Sequence, residues 1–156
     1  AAGAGRALEL GPRHAAILGN FATFLWQIRA AHDEAESLFL RAVESDPANA
    51  GILGNFANFL WQIRAAHDEA ELLYRRTVEL APRNAINLGN FAAFSLIVRH
   101  VPEQAEPLLR SAISIDPKDA NLRANLARVL IEQGQLDEGV QAAARALVVV
   151  ESRSTT

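Results

Sequence analysis

Cysteine and methionine are both absent from this 156-residue chain, and aromatic residues make up only 6% of it. Without cysteine there is no disulfide framework and no thiolate to act as nucleophile or metal ligand. A redox-neutral, cytoplasmic protein fits that composition. Four histidines are scattered along the chain without zinc-site spacing, so neither a metal nor any other cofactor is expected. An excess of basic residues is missing too: the net charge is −3 and the isoelectric point near 5.8, which argues against a nucleic-acid partner. No apolar run approaches the roughly 20 residues of a membrane-spanning helix. The opening AAGAGRALEL has no charged, apolar and cleavage regions in the order of a signal peptide, and no membrane association is expected. The missing initiator methionine points to a processed product or a piece of a longer protein.

What the chain does have is repetition. LGNFATFLWQIRAAHDEAE at 18–36 returns as LGNFANFLWQIRAAHDEAE at 53–71, with Thr23 replaced by Asn58 as the single change. The 35-residue offset recurs in Pro12, Pro47, Pro82 and Pro117, and again in Asn20, Asn55, Asn90 and Asn125. Residues 16–50 and 51–85 agree at 26 of 35 positions, whereas 51–85 and 86–120 agree at 13, which marks the first pair as a recent or designed duplication. A period of this length is the signature of a stacked repeat array.

One period reads as two helices. Ile17, Leu18, Phe21, Ala22, Phe24, Leu25 and Ile28 fall on one side of a helical wheel, with Ala16, Asn20, Thr23 and Gln27 opposite. This helix A is predicted to start near His14, and near Asn49 in the next unit, where Asn can accept from first-turn N–H groups. A second stripe, Ala35, Leu38, Phe39, Ala42 and Val43, predicts a helix B over 33–45, with Asp33 and Glu36 as a capping-box variant. Asp46-Pro47 ends it, because the residue before proline is pushed out of helical geometry. Neither helix can bury its stripe alone, so stacked pairs sharing one core are expected.

These residues resemble the tetratricopeptide repeat (TPR). The matching positions are a small residue in helix A (Ala22, Ala57, Ala92, Ala127) and another early in helix B (Ala35, Ala70, Ala105, Gly139). A larger one follows (Phe39, Tyr74, Leu109), then a further small one (Ala42, Ala112, Ala146, with Thr77 departing), and a closing proline. The resemblance implies an all-α, right-handed α-solenoid of helix-turn-helix repeats, with A helices lining a concave face. The boundaries are about 14–48, 49–83, 84–118 and 119–151, inside a domain over 13–151. RALELGP at 6–12 aligns with RAVESDP at 41–47, so residues 1–12 are expected to be the trailing helix of a preceding partial repeat, and 152–156 a tail. The first three repeats are a residue longer than the family norm. The count from Ala22 to Ala35 puts the extra residue in the turn between helices A and B.

Asn20, Asn55, Asn90 and Asn125 form the sharpest candidate site. Asn is a mediocre helix former, yet it recurs inside every A helix, opposite the apolar arc. A carboxamide both donates and accepts, so a row of them can hold the backbone of an extended peptide with little regard to its side chains. The pattern resembles the asparagine ladder of the O-GlcNAc transferase superhelix, which implies peptide binding. Thr23, Asn58, Gln27, Gln62 and Arg128 share that side of the A helices and join the candidate groove. The alternative is that each Asn bonds to the adjacent repeat and sets the stacking. Gly19, Gly54 and Gly89 precede the first three Asn residues and fit either close approach of a ligand or tight helix packing. Lysine stands at the position of Gly19 in repeats that clamp chaperone carboxylates, so that clamp is not expected.

Trp26 and Trp61 lie at the margin of the arc, where packing is favoured over binding; Leu96 and Ile131 replace them and make the groove more apolar if those positions are open. His32 and His67 are expected to pack in the A-to-B turns, and Arg29, Arg64 and Arg99 to complement the helix dipole. Helix B of the last repeat, 137–151, spreads Val140, Ala144, Leu147 and Val148 around its surface and predicts self-association, as a two-fold pair or head to tail. No nucleophile, base and orienting group share a plausible spacing, so an enzyme is not expected. The function that follows is a protein-protein interaction module for a protein or extended peptide. The alternatives are a self-assembling scaffold, a targeting domain of a larger enzyme, and pentatricopeptide-like RNA binding, which shares the 35-residue period.

Overall fold

The structure, a computed structural model, describes residues 11–154. They fall into two compact units that divide between Ala81 and Pro82. Among the described residues all regular structure is helical. The first unit holds α1 (Pro12–Gln27), α2 (His32–Ser45), α3 (Ala50–Phe59) with a π-helical continuation (Leu60–Arg64), and α4 (His67–Leu80). The second holds α5 (Ala85–Ile97), α6 (Pro102–Ile115), α7 (Ala120–Glu132) and α8 (Leu136–Ser154). In each unit the helices pack as consecutive A–B pairs, α1 with α2 and α3 with α4, then α5 with α6 and α7 with α8. The expected trailing helix over 1–12 lies, up to residue 10, outside the described residues. The tail expected from 152 is helical through Ser154.

Side-chain caps start three of the four A helices. Asn49 accepts from the Ile52 N–H at 3.2 Å, Asn84 from Asn87 at 3.0 Å, and Asp119 from Asn121 and Leu122 at 2.8 and 3.2 Å. Helix α1 instead follows Gly11 and opens on Pro12, two residues before the expected His14, because proline suits a first turn that needs no N–H. The B helices α2, α4 and α6 carry no such cap. Ala31 precedes α2, and the expected capping box of Asp33 and Glu36 does not form, because both carboxylates face Arg64 instead. Each of α2, α4 and α6 stops two residues before its proline, with Ser45, Leu80 and Ile115 last.

The small-residue positions are the inner surface of each pair. Ala22, Ala35, Ala42, Ala57, Ala70, Ala92, Ala105 and Ala112 are wholly buried, as are Phe39, Tyr74 and Leu109. A Cβ placed on Gly139 of α8 would lie 2.8 Å from Ile131 Cγ1 and 3.2 Å from the Ala127 carbonyl oxygen of α7. Only glycine allows so close a crossing there. In the first unit Ala15, Leu18, Ala42 and Ile52 join α1, α2 and α3 in one cluster flanked by Leu38 and Val43. Phe39 stacks on Phe56 at 5.3 Å and tilts on Phe59 at 5.6 Å, and Trp26 meets Phe59 edge-on at 5.8 Å. Truncating Phe39 to alanine would cost about 3–5 kcal/mol, more than any surface ion pair contributes.

One expectation is corrected and one is refined. The apolar arc of α1 is only half buried: Leu18, Ala22 and Leu25 are inside, while Ile17, Phe21, Phe24 and Ile28 are exposed. The arc is wide enough to face two neighbours, and the described residues cover one side of it. The extra residue lies in the A-to-B turn, as expected, in the first and third repeats, where 28–31 and 98–101 hold four residues against three at 133–135, whereas in the second it widens the end of helix A. The Ala31, Ala66 and Val101 N–H groups each reach a carbonyl six residues back, Leu25, Leu60 and Ser95, at 3.0 Å. In repeat two the widening is a π-helical turn, Leu60–Arg64. The last repeat closes instead with Gln135 N–H on Leu130 and Gly134 N–H on Ile131, a Schellman arrangement with glycine left-handed at φ 79°. Ala30, Ala65 and His100 occupy that left-handed region at φ 51°, 52° and 55° without being glycine.

Candidate functional site

The A helices of neighbouring repeats approach closely at their glycines. A Cβ on Gly19 would lie 3.0 Å from Ile52 Cγ1, and one on Gly89 only 2.6 Å from Leu122 Cδ2. Helix packing therefore accounts for these two glycines. Asn20 and Asn90 follow them directly, which rotates each carboxamide out to the margin of that contact. Asn20 is exposed, and Asn55, Asn90 and Asn125 are half-buried. The Asn55 amide donates to Thr23 Oγ1 at 3.5 Å, and Thr23 donates its own hydroxyl to the Gly19 carbonyl at 2.9 Å. That long bond joins Asn55 to the neighbouring A helix within the first unit. Among the described residues the carboxamides of Asn20, Asn90 and Asn125 have no hydrogen-bond partner.

The other candidates divide. Gln27 and Gln62 are exposed, and Arg128 is exposed beside Glu132 at 3.0 Å on its own helix. Asn58 has a use inside the fold: its Oδ1 accepts the Tyr74 hydroxyl at 2.5 Å. Burial of Tyr74 pushes its phenol pKa above the ordinary value, because the phenolate would lose hydration. Trp26 is buried, in keeping with a packing role, and so is Leu96, which therefore cannot extend an open groove; Ile131 is 47% exposed. His32 sits edge-on to Phe59 at 6.5 Å in its turn. Val140, Ala144, Leu147 and Val148 of α8 are all exposed.

Arg64 has a role that its place at a helix end did not suggest. It binds Asp33 at 2.5 Å and Glu36 at 2.7 Å on α2 and lies 5.5 Å from the Phe59 ring centre, tying the second repeat to the first. The Arg64 hydrogen bond holds the Asp33 carboxyl below the usual carboxylate range, and the same bond raises the Arg64 pKa. In the second unit Arg110 does comparable work, bridging Glu138 and Glu106, each at 2.8 Å. The 35-residue register could have shown that Arg64 follows Asp33 and Glu36 by nearly one repeat. Pairing requires knowing that α2 lies against the end of α3.

Two open grooves lie between successive B helices, away from the Asn residues. One, of about 520 Å³, is lined by Leu40, Phe56, Leu60, Arg64, Leu72 and Leu73 in the first unit. The other, of about 490 Å³, lies among Arg110, Arg123, Leu126, Leu130, Glu138 and Arg145 in the second. Neither concavity contains a carboxamide of the Asn series. A shallow row that holds a peptide backbone needs no deep cavity.

Residues 101–148 match the tetratricopeptide repeat family model. No curated protein matches the chain in sequence. Among solved structures, MamA superimposes with a TM-score of 0.80 at 16% identity, over 97% of this chain and 86% of the MamA chain. YrrB, described as a TPR protein with an unusual peptide-binding site, gives 0.74 at 21% identity, over 90% and 71%. The chain thus has the α-solenoid fold of TPR proteins. No helix among the described residues is long and apolar enough to cross a membrane.

Proposed function

We propose that the chain is a non-enzymatic protein-protein interaction module that holds an extended segment of a partner on the Asn-bearing side of its A helices. Each unit offers two rungs, Asn20 with Asn55 and Asn90 with Asn125. The observation that carries this reading is the absence of any internal hydrogen bond for Asn20, Asn90 and Asn125 among the described residues. Asn inside a helix costs about 0.5–0.7 kcal/mol relative to alanine, and at these three positions the fold gains no bond in return. A stacking role is supported at Asn55 alone, through its contact with Thr23.

A peptide backbone presents alternating N–H and C=O groups, and each carboxamide can meet one of each. Gln27, Gln62 and Arg128 flank the row and would add side-chain contacts. The likeness to YrrB, described as a TPR protein with an unusual peptide-binding site, and the resemblance to the asparagine ladder of O-GlcNAc transferase support the same reading.

The test is capture of peptides selected from a random phage-displayed library. Replacing Asn20, Asn55, Asn90 and Asn125 together by alanine is expected to weaken binding by tenfold or more while the helical content and melting temperature hold. Unchanged affinity in the quadruple variant would refute the reading, as would loss of fold with binding intact in whatever remains folded.

A further inference from the structure

The second unit repeats the groove of the first with different chemistry. Over α3, between α2 and α4, the groove is lined by Leu40, Phe56, Leu60 and Leu72. Over α7, between α6 and α8, the floor positions stay apolar as Leu126 and Leu130. Its walls change: Arg110 stands where Leu40 stands two repeats earlier, and Gln141 where Leu72 does. Arg123 and Arg145 line the second groove as well. A chain of net charge −3 thus gathers three arginines in one concavity of about 490 Å³. The groove comes from the pairing of helices and not from a chain end, since its first-unit version forms where the chain continues past α4.

The three guanidinium groups are not equally satisfied. Arg110 is neutralised by Glu106 and Glu138, and through Glu138 it joins α6 to α8. Arg123 is half-buried; its Nε and Nη2 donate to the Pro117 carbonyl at 3.1 and 2.7 Å, which fixes the group without cancelling its charge. Arg145 is exposed and has no hydrogen bond or ion pair among the described residues. Glu138 is the one carboxylate among the described residues that line the groove, and Arg110 already holds it. Two positive charges therefore stand uncompensated beside an apolar floor, one of them held in place by the backbone.

We infer that this groove docks an acidic segment of a partner protein, with carboxylates on Arg123 and Arg145 and an apolar side chain against Ile113 and Leu126. A guanidinium presents its donors in a planar fork that matches a carboxylate, which a point charge does not. A polynucleotide needs a continuous basic stripe, and the negative charge of the rest of the chain repels it. Ion pairs this close to solvent contribute modestly, so the complex is weak and sensitive to salt. The site lies away from the Asn residues and does not depend on their binding anything.

Fluorescence anisotropy on the 156-residue chain tests this with a labelled peptide of glutamate, leucine and glycine, and with its twin in which every glutamate is glutamine. The acidic peptide is expected to bind saturably, more weakly as salt rises, and the twin to bind about tenfold more weakly or worse. Arg123→Gln and Arg145→Gln should each weaken the acidic peptide about threefold, and the double variant about tenfold. Arg76→Gln removes the same charge from an exposed position of α4 and should change nothing. Arg123→Lys keeps the charge and should retain most of the binding. Circular dichroism and thermal melting establish that the variants fold. Arg145 makes no bond within the fold, so Arg145→Gln keeps the test decisive if Arg123→Gln disturbs α7. No saturable binding of the acidic peptide, equal affinity for the twin, or undiminished binding in the double variant would each overturn the inference. Displacement of the peptide by a lower concentration of a single-stranded oligodeoxynucleotide of equal charge would assign the groove to nucleic acid and overturn it too.

Discussion

The Tyr74 hydroxyl, on α4, donates to Oδ1 of Asn58, on α3, at 2.5 Å, while Phe39 holds the place of Tyr74 in the preceding repeat and Thr23 that of Asn58. The one difference between the two nineteen-residue copies thus accompanies a difference on helix B: a buried phenol needs an acceptor, and phenylalanine needs none. Thr23 meanwhile satisfies its own hydroxyl on the Gly19 carbonyl. Asn58→Thr alone is expected to cost about 1–3 kcal/mol by depriving the buried hydroxyl of its acceptor. Adding Tyr74→Phe should recover most of that loss, a coupling that denaturant unfolding of the four-member cycle measures.

Ala30 and Ala65 sit in the left-handed region, where an L-residue other than glycine costs about 1–2 kcal/mol. Glycine would relieve that strain but adds about 0.4–1 kcal/mol of unfolded-state entropy. The balance favours glycine. Ala30→Gly and Ala65→Gly should each stabilise the fold by about 0.5–1 kcal/mol, read from thermal or urea unfolding. Gly134, in the same conformation at φ 79°, should be destabilised by the reverse change to alanine.

Gly139→Ala should destabilise even though alanine is the better helix former by about 1 kcal/mol. Its Cβ would meet Ile131 Cγ1 at 2.8 Å and backbone atoms of Ala127 and Ile131 at 3.2 and 3.3 Å, and backbone cannot give way as a side chain can. The expected net cost is about 1–2 kcal/mol. Gly11 offers a control in the same assay, since a Cβ there meets nothing within 4 Å.

The Asp33–Arg64 pair makes a pH-dependent contribution whose sign follows from the lowered Asp33 pKa. A carboxyl that is more acidic in the folded state stabilises it above the ordinary carboxylate pKa, and loses that contribution as pH falls through the lowered one. Carbon-detected NMR titration of Asp33 should place its midpoint below that of an unperturbed aspartate. In Arg64→Gln the midpoint should rise toward the ordinary value, and an unmoved midpoint would remove Arg64 as the cause.

Most of the fold was legible because the A–B pair needs small residues at its crossing and proline at its end, and both recur at fixed register. The π-helical end of α3 was not: counting residues between two small-residue anchors measures how much chain lies between them, not whether the surplus stays in the turn or widens the helix end. The half-exposed arc of α1 escaped for a related reason, since a helical wheel shows which residues are apolar but not whether both neighbours are present. Asn58 was read as a groove residue because its side of the helix is polar; its link to Tyr74 depends on how α3 and α4 are juxtaposed. For Asn20, Asn90 and Asn125 the sequence placed each carboxamide opposite the apolar arc, and among the described residues none of the three makes a hydrogen bond.

The central claim is that those carboxamides contact a partner's backbone. Side-chain amide NMR of ¹⁵N-labelled protein, titrated with a library-selected peptide, tests it most directly. The account predicts that the NH₂ resonances of Asn20, Asn55, Asn90 and Asn125 shift together and saturate with the binding curve, while Asn58, held by Tyr74, moves less. Saturable binding that leaves all four resonances in place, with shifts instead among Arg110, Arg123 and Arg145, would contradict it and move the site to the groove between the B helices.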